Sequence, residues 1–551
     1  MKYAVLVFTT LLSISKSQAQ DSTEVVVKKT YTTHDLGEYA APTINGILED
    51  EAWNLVDWAG DYIEWQPDEN TPPSHQTKFK ILYDSKNLYI GVRCYDDEPD
   101  KIVKRLSRRD GFDGDWVEFN IDSYFDKRTA FSFTITAAGV KGDEFISNNG
   151  NNWDSSWNPI WYAKSHVDDE GWTAELRIPL SQLKFGSAEE QVWGFQSTRR
   201  FFRDEERSLW QRKPVDQPGW VSEFGELHGL KNIEPQKQLE IQPYTVTNTE
   251  TYEAEENNPF RDGSENNLTV GLDAKIGITN DLTLDLTVNP DFGQVDADPS
   301  AIALDGFQIF FQERRPFFVE NKNIFDFSVS QSQAGNTFGS DNIFYSRRIG
   351  RSPQGYPNTA DGEFVNQPDN TPIIGAAQFS GKTKDGWAIG VLESVTAQRT
   401  ATILNGNGDT RDEMVEPLTN YFVGRLQKDF NERNSYIGGI ITATNRENLP
   451  EQLNFLHDAA YTGGLDFKHQ WANRDWYVGG NITLSHVRGS QEAITNTQES
   501  ITHLFGRVGA DHVVVDTTRT SLTGTGGNVQ IGKIGNGHWR FESGATWRSP
   551  E

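Results

Sequence analysis

The chain has 551 residues, a formal net charge of −28 and a mean hydropathy of −0.62. It is too long for one ordinary domain, and its single cysteine, Cys94, excludes an internal disulfide. The negative charge argues against a nucleic-acid partner, because phosphate contacts require clustered Lys and Arg.

The first residues have the pattern of an exported protein. Lys2 precedes an apolar run over residues 3–12, and small and polar residues follow as far as Gln20. This is the charge, core and cleavage pattern of a secretory signal peptide, and the run is too short to span a bilayer. We therefore predict a signal peptide over residues 1–19 and a polar lead-in over residues 20–42.

Residues 43–232 read as a series of short strands. An Asn-Gly turn at 45–46 leads to Trp53, and β-rich runs joined by a Ser-Lys-Asn turn form a hairpin over residues 79–97. Strands with period-two alternation follow at 115–122, 131–136 and 171–180. The spacing of these strands resembles the family 9 carbohydrate-binding domain, a β-sandwich module attached to xylanases and other glycan-degrading enzymes.

The remainder, residues 233–551, reads as longer strands. Apolar and polar residues alternate in runs of about nine to eleven residues, the length a tilted strand needs to cross a membrane. Several runs begin or end in Tyr, Trp or Phe, as interfacial aromatic girdles require. The predicted strands lie at residues 268–278, 282–288, 387–395, 421–430, 436–444, 461–471, 476–486 and 503–511. The alternative is a soluble antiparallel β-protein, but in lipid such strands must close into a barrel.

Three blocks in this part carry a second resemblance. They are Asn-Pro-Asp-Phe-Gly-Gln at 289–294, Glu-Arg-Arg-Pro-Phe-Phe at 313–318 and Ser-Arg-Arg-Ile-Gly-Arg at 346–351. They resemble an uncharacterised family of outer-membrane proteins from Bacteroidetes-type bacteria (DUF5916-like), in which a family 9-like sandwich precedes a β-barrel. The resemblance implies an all-β chain: a sandwich followed by an incomplete antiparallel outer-membrane β-barrel. Because no closing aromatic strand ends the chain, it also implies a C-terminally truncated fragment.

Residues 289–356 form a long insertion between strands. The insertion is too long for a hairpin loop and too aromatic for a disordered linker. Its phenylalanines must be buried, and its arginines then need partners, for which Asp296 and Asp298 are candidates. Two placements remain open: the segment folds inward and constricts the barrel, or it packs as a surface loop on the sandwich.

A saccharide site needs exposed aromatic faces and polar groups that read hydroxyls. The densest such stretch is residues 148–161, where we predict Trp153, Trp157, Asn152 and Asp154 as the carbohydrate-binding residues. The alternative is that these tryptophans belong to the core, and Trp161, at the start of a strand, fits that alternative. Trp210 and Trp220 lie in a later polar loop and are secondary candidates.

A metal site is suggested by three carboxylates on a glycine-rich loop, Asp110, Asp113 and Asp115. Calcium favours clustered oxygen ligands on flexible loops, and the family 9 resemblance implies that structural calcium is compatible with this module. The alternative is a turn whose acids are solvated. Calcium is the one candidate cofactor.

Two functions from different classes follow. In the first, an exported protein of the outer membrane binds a polysaccharide or oligosaccharide for carbohydrate catabolism, with lipid as the barrel's surroundings. The resemblance links that role to hydrolysis of O-glycosyl compounds, although no catalytic motif identifies an enzyme. In the alternative, the barrel is a pore or transporter and the sandwich is an accessory domain on either side of the membrane.

Overall fold

The computed structural model describes residues 27–155, 157–186, 188–234, 238–279, 281–290, 310–311, 313–330, 341–383, 385–431, 433–472, 474–509, 511–535 and 539–551. The predicted signal peptide at 1–19, the first part of the lead-in, and the candidate partners Asp296 and Asp298 lie outside the described residues.

The first half of the chain forms a two-layer β-sandwich. Its strands are β1 Thr30–Thr32, β2 His34–Asp35, β3 Ile63–Gln66, β4 Thr77–Tyr83, β5 Asn87–Tyr95, β6 Trp116–Asp122, β7 Ala130–Thr136, β8 Lys141–Ser147, β9 Asn152–Asp154, β10 Tyr162–Asp168, β11 Gly171–Pro179, β12 Glu190–Phe201, β13 Glu206–Leu209 and β14 Gly225–Lys231. One sheet has the order β1-β14-β12-β6-β7-β8-β9, with β13 and β3 attached at β12. The other has the order β10-β11-β5-β4-β2.

One hydrophobic core lies between these two sheets. Alternate residues of each strand point into it, as period-two alternation requires. Phe119 and Phe133 enter from the larger sheet, and Ile90 and Leu176 from the smaller one, all with no exposed surface. Cys94 is buried in the same core.

The second half of the chain forms an antiparallel sheet of eleven strands. The strands of this half are β15 Leu239–Thr251, β16 Ser264–Gly277, β17 Leu282–Val288, β18 Phe364–Asn366, β19 Ile373–Lys382, β20 Trp387–Thr396, β21 Arg399–Leu404, β22 Thr410–Glu416, β23 Thr419–Phe430, β24 Ser435–Arg446, β25 His457–Trp471, β26 Trp476–Gly489, β27 Ser521–Lys533 and β28 Phe541–Arg548. β18, β21 and β22 form a separate three-stranded sheet, and the other eleven pair in chain order, with β15 and β28 at the two edges.

Helices are few in the described residues. The α-helices are α1 Pro316–Val319 and α2 Gln491–Glu499. Short 3-10 turns occur at Glu51–Leu55, Pro99–Lys101, Asn148–Gly150, Leu180–Gln182, Val221–Glu223, Lys322–Ile324, Ser346–Arg348 and Glu451–Leu453. In the part of the chain that the structure covers, none of the helices has both the length and the apolar character to cross a membrane.

The predicted fold class, an all-β chain with a sandwich and an antiparallel barrel sheet that is not closed, is confirmed. The strand predicted at residues 503–511 is wrong. Its described residues form turns, in which the N–H of Leu504 donates to the carbonyl oxygen of Ser500 at 2.8 Å. These turns belong to a long connection between β26 and β27, so local alternation there is not supported by a neighbouring strand.

The inserted segment packs on the polar face of the eleven-stranded sheet. Phe317, Phe318, Phe325 and Phe327 form one buried cluster with sheet residues such as Leu392. Within the segment, the Arg315 guanidinium is paired with Glu313 at 2.7 Å. The described part of the insertion therefore contacts the sheet, and through the pairs Lys322–Asp154 and Glu320–Lys184 it also contacts the sandwich. Constriction of a barrel by this segment stays a prediction.

Candidate functional site

The two predicted tryptophans lie on opposite faces of the larger sandwich sheet. Trp153 is on β9, pairs with Ile146 and points away from the main core. Trp157 packs against that core, with its ring 5.0 Å from Phe131 and 5.6 Å from Phe133. The two rings therefore do not form one stacking platform.

The two polar residues predicted to bind carbohydrate already have hydrogen-bond or ion-pair partners within the protein. The Asn152 amide donates to the Ser147 hydroxyl at 3.1 Å. Asp154 is buried and pairs with Lys322 of the inserted segment at 2.9 Å. This part of the predicted site therefore faces the second half of the chain, and its saccharide role remains a prediction.

The three predicted calcium ligands are held by different protein groups. Asp113 pairs with Arg105 at 3.0 Å, and Asp110 accepts a hydrogen bond from the backbone N–H of Asp143. Asp115 is buried and accepts from the N–H of Val103 at 2.9 Å. No group of three or more His, Cys, Asp or Glu that could hold a metal occurs among the described residues. The calcium site stays a prediction.

Half-buried aromatic rings form a rim on the outer side of the larger sandwich sheet. We call this rim and its floor the aromatic face; its rings are those of Trp65, Phe112, Trp116, Trp153 and Trp220. Trp220 lies 5.6 Å from Trp65 and 6.1 Å from Trp153 between ring centroids. Phe112 lies 6.3 Å from Trp116.

Local contacts hold the rim in place. The indole N–H of Trp220 donates to Asn120 at 2.9 Å, and its backbone N–H donates to the carbonyl oxygen of Asn149 at 2.8 Å. Phe112 lies over Gly142, where an added Cβ would come within 2.2 Å of the ring. The glycine is therefore what allows this ring to approach the sheet.

Polar side chains of β6, β7, β8 and β12 form the floor beneath the rim. Register places Glu118 beside Thr134 and Thr198, and Asn120 beside Ser132. Thr198 Oγ1, Arg207 Nε and Trp65 Nε1 are buried without a hydrogen-bond partner in the described protein. Asn120, Ser132 and Thr134 lie within hydrogen-bonding reach of the Glu118 carboxyl.

Two carboxyls of the floor are shifted towards their neutral form. Burial raises the pKa of Glu118 to about 7, although Asn120, Ser132 and Arg207 act in the opposite direction. Burial raises the pKa of Glu144 to about 7 as well, and the neighbouring charge of Glu118 adds to that shift. A neutral carboxyl can donate as well as accept a hydrogen bond, which suits hydroxyl ligands.

Sequence reasoning did not find this face. Trp65 and Trp220 are far apart in the chain, and pairing of β3 with β13 and a loop held by Asn149 bring them together. The available signal was that Glu118, Asn120, Ser132 and Thr134 are polar residues within otherwise apolar strands. Of the secondary candidates, Trp210 is buried in the core and Trp220 belongs to the aromatic face.

Ion pairs join the sandwich to one end of the eleven-stranded sheet. Asp126 pairs with Lys382 at 2.8 Å and with Arg433 at 3.3 Å. Asp429 pairs with Arg128 at 3.0 Å and with Lys382 at 3.2 Å. These five residues are called the docking cluster. Asp126 and Asp429 are buried, so the cluster fixes the sandwich against the sheet.

A large chamber lies between the two halves of the molecule. Its volume is about 1110 Å³, and it is lined by sandwich loops, the inserted segment and the polar face of the sheet. Trp157 and Asp154 of the predicted set line it. Trp153 belongs to the aromatic face instead.

Comparisons with known proteins divide the chain in the same way. Residues 44–206 match the family described as carbohydrate family 9 binding domain-like, and residues 235–549 match the domain of unknown function DUF5916. No curated protein matches the chain.

Similar solved structures include family 9 modules and OprB of Pseudomonas putida. A family 9 module from Caldicellulosiruptor kristjanssonii in complex with cellotriose is 20% identical, with a TM-score of 0.28, and covers 36% of this chain and 93% of its own. The same kind of module with glucose is 19% identical, with a TM-score of 0.28, and covers 38% and 100%. OprB of Pseudomonas putida is 11% identical, with a TM-score of 0.24, and covers 79% and 87%. The DUF5916 match follows the family 9-like domain and covers more than half of the chain. The protein therefore belongs to the DUF5916 family.

Proposed function

We propose that this protein is an outer-membrane protein whose periplasmic sandwich binds a saccharide at the aromatic face. The observation that carries the proposal is the set of half-buried aromatic rings that surround a floor of polar side chains. Aromatic faces can stack on pyranose rings while the floor bonds to their hydroxyls. The match of residues 44–206 to the carbohydrate family 9 model supports the same ligand class.

The membrane location is supported by the eleven-stranded sheet. Its outward face is apolar and exposed, as at Ile441, Leu465 and Leu484, which are 58%, 62% and 57% exposed. The residues that alternate with these point to the other face and are polar, as at Asp466 and Ser485. Apolar residues facing outward and polar residues facing inward are what a strand wall in lipid requires.

The lengths of the connections support a periplasmic position of the sandwich. The connections on the side of the docking cluster have four to seven residues, at 278–281, 383–386, 431–434, 472–475 and 534–540. Those at the other end have ten or more, at 252–263, 289–372, 397–418, 447–456 and 490–520. Outer-membrane barrels have short periplasmic turns and long extracellular loops, and this asymmetry supports the periplasmic position that we propose for the sandwich.

Export of the chain and a domain division near residue 232 belong to the same proposal. A link to hydrolysis of O-glycosyl compounds rests on the family resemblance alone. The alternative function, a pore or transporter, is favoured by the chamber and by the polar inner face of the sheet. Flux of small sugars into vesicles containing the protein would favour that alternative.

The binding proposal is tested with the full chain in detergent. Binding of a saccharide panel that includes glucose and cellotriose is measured by calorimetry for the native protein, for Trp65→Ala and for Trp220→Ala. Each change removes a ring of the rim, so we expect affinity to fall by about tenfold or more, equivalent to about 1.4 kcal/mol.

Trp58→Ala is the matched control, because Trp58 is an exposed tryptophan of the sandwich outside the aromatic face. It should leave affinity unchanged, and all variants should keep the native thermal transition. Equal loss in all three variants, or no binding by the native protein, contradicts the proposal. Recovery of the protein in the soluble periplasmic fraction contradicts the membrane location.

A further inference from the structure

The chamber differs in charge from the chain that encloses it. The chain carries a net charge of −28, but eight Lys or Arg residues line the chamber against seven Asp or Glu. The strongly acidic character of the molecule is therefore absent from this enclosed space.

Most of the chamber's cations have carboxylate partners. Lys184 and Lys275 share Glu320, at 3.5 and 2.7 Å. Arg425 pairs with Asp466 at 2.7 Å. The cations of the docking cluster are paired in the same way. These residues hold the two halves and the inserted segment together, so they are not available to a ligand.

Two chamber cations, Lys468 and Arg474, are in no ion pair among the described residues. The Lys468 ammonium lies 5.1 Å from the centre of the Tyr477 ring, and Arg474 Nε donates to Asn434 Oδ1 at 2.9 Å. Both lie within electrostatic range of Arg128, which enters the chamber from the sandwich. One corner of the chamber therefore gathers three positive charges. Among the described residues only Arg128 is in an ion pair, with Asp429, while Glu542 lies within electrostatic range of Lys468 and Glu223 within that of Arg474.

This corner is also lined by groups suited to a sugar. Tyr436 and Tyr477 present aromatic rings, and Gln470, Asn481 and Gln530 present amides. A chamber of about 1110 Å³ is at the upper end of the volumes of ligand pockets and can hold more than one sugar ring. Binding an anion would also reduce the repulsion among the three cations.

We propose that the chamber is a second ligand site, which takes a carboxylate-bearing sugar and binds its carboxylate between Lys468 and Arg474. This site is separate from the aromatic face, and it does not depend on saccharide binding there. It gives the periplasmic end of the sheet a preference for acidic over neutral sugars.

The test uses the full chain in detergent and two probes, glucuronate and its neutral counterpart glucose. Equilibrium dialysis with labelled probe should show glucuronate bound at least tenfold more tightly than glucose in the Trp65→Ala background, where the aromatic face is impaired. The double variant Lys468→Gln/Arg474→Gln should lose that preference. Arg261→Gln, at an exposed arginine near the far end of the sheet, is the matched control and should keep it.

A second measurement covers the case in which the double variant does not fold. Binding of glucuronate to the native chain should weaken as sodium chloride is raised from low to physiological concentration, because accessible charges are screened. Equal affinity for the two probes, binding that does not depend on salt, or a folded double variant with undiminished preference would each overturn the proposal. Failure of saccharide binding at the aromatic face alone would leave it standing.

Discussion

The sandwich and the eleven-stranded sheet use the same alternation of apolar and polar residues for opposite purposes. In the sandwich, Phe119 and Ile90 lie between two sheets with no exposed surface. In the eleven-stranded sheet, Leu465 and Leu484 alternate with polar neighbours but face outward. Alternation therefore specifies that a strand has two different faces, and only the wider assembly specifies which face meets solvent.

The two regions also differ in what covers their polar groups. The sheet covers part of its inward face with the inserted segment, whose Glu320 accepts a hydrogen bond from Lys275 at 2.7 Å. The floor of the aromatic face lies instead beneath half-buried rings such as Trp220. Both regions contain buried polar atoms with no hydrogen-bond partner in the described protein, as at Thr198 and at Ser394, so the half-buried rings are what distinguish the aromatic face.

The largest effect is expected from truncating the sandwich core. Phe119→Ala removes a fully buried ring packed on Phe79 and Phe195, so it should lower the free energy of unfolding of the sandwich by about 3–5 kcal/mol. Denaturant unfolding followed by tryptophan fluorescence measures the change. Leu106→Ala, at a residue 85% exposed, is the control and should change little. Equal effects would show that the two-sheet core is not where the stability lies.

The docking between the two regions should be the next most sensitive feature. Lys382→Met removes the cation shared by Asp126 and Asp429 and leaves two buried carboxylates with fewer partners, at a cost of about 3 kcal/mol. Calorimetry should then resolve a separate sandwich transition at lower temperature. Lys428→Met is the control, because the Lys428 ammonium lies over the Trp387 ring and donates to the carbonyl oxygen of Asp385, both within the sheet. A single unchanged transition in both variants would contradict the role of the docking cluster.

A charge placed on the outward face of the eleven-stranded sheet tests most directly whether that face, unlike the surface of the sandwich, lies in lipid. In lipid, Leu484→Arg should destabilise the sheet by about 2 kcal/mol, because this residue faces outward, whereas Ser485→Arg, its inward-facing neighbour, should cost little. Urea unfolding in lipid vesicles compares the two. If Ser485→Arg proved the more damaging, the assignment of the two faces would be reversed.

The sequence was sufficient for the order of the two regions and for most long strands. Alternation at 268–278 and 476–486 predicts strands that the structure contains, because each has neighbours that repeat the pattern. The strand β15 at Leu239–Thr251 was not predicted, since Pro243 interrupts its pattern and it lies at an edge of the sheet.

The site was less accessible to sequence reasoning than the fold. Trp153 and Trp157 are four residues apart, but Trp153 packs with the cluster on the outer side of the sheet and Trp157 packs with the main core. Trp65 and Trp220 meet only through tertiary pairing, which no local pattern records. Long-range register, rather than residue type, decides which aromatic residues share a face.

The effect most confined to one surface is a pH dependence specific to the aromatic face. Burial raises the pKa of Glu118 and of Glu144 to about 7, from 4.5 for an unburied glutamate. Between those values the folded sandwich binds more protons than the unfolded chain, so its stability should fall as pH rises from about 5 to 7. Each carboxyl contributes a slope of at most about 1.4 kcal/mol per pH unit.

Glu118→Gln keeps the shape of the side chain but cannot ionise, and it should flatten that slope, whereas Glu170→Gln, at an exposed position, should not. Urea unfolding at a series of pH values measures both, and an unchanged slope in Glu118→Gln would mean that the floor of the aromatic face is wetter than its burial indicates.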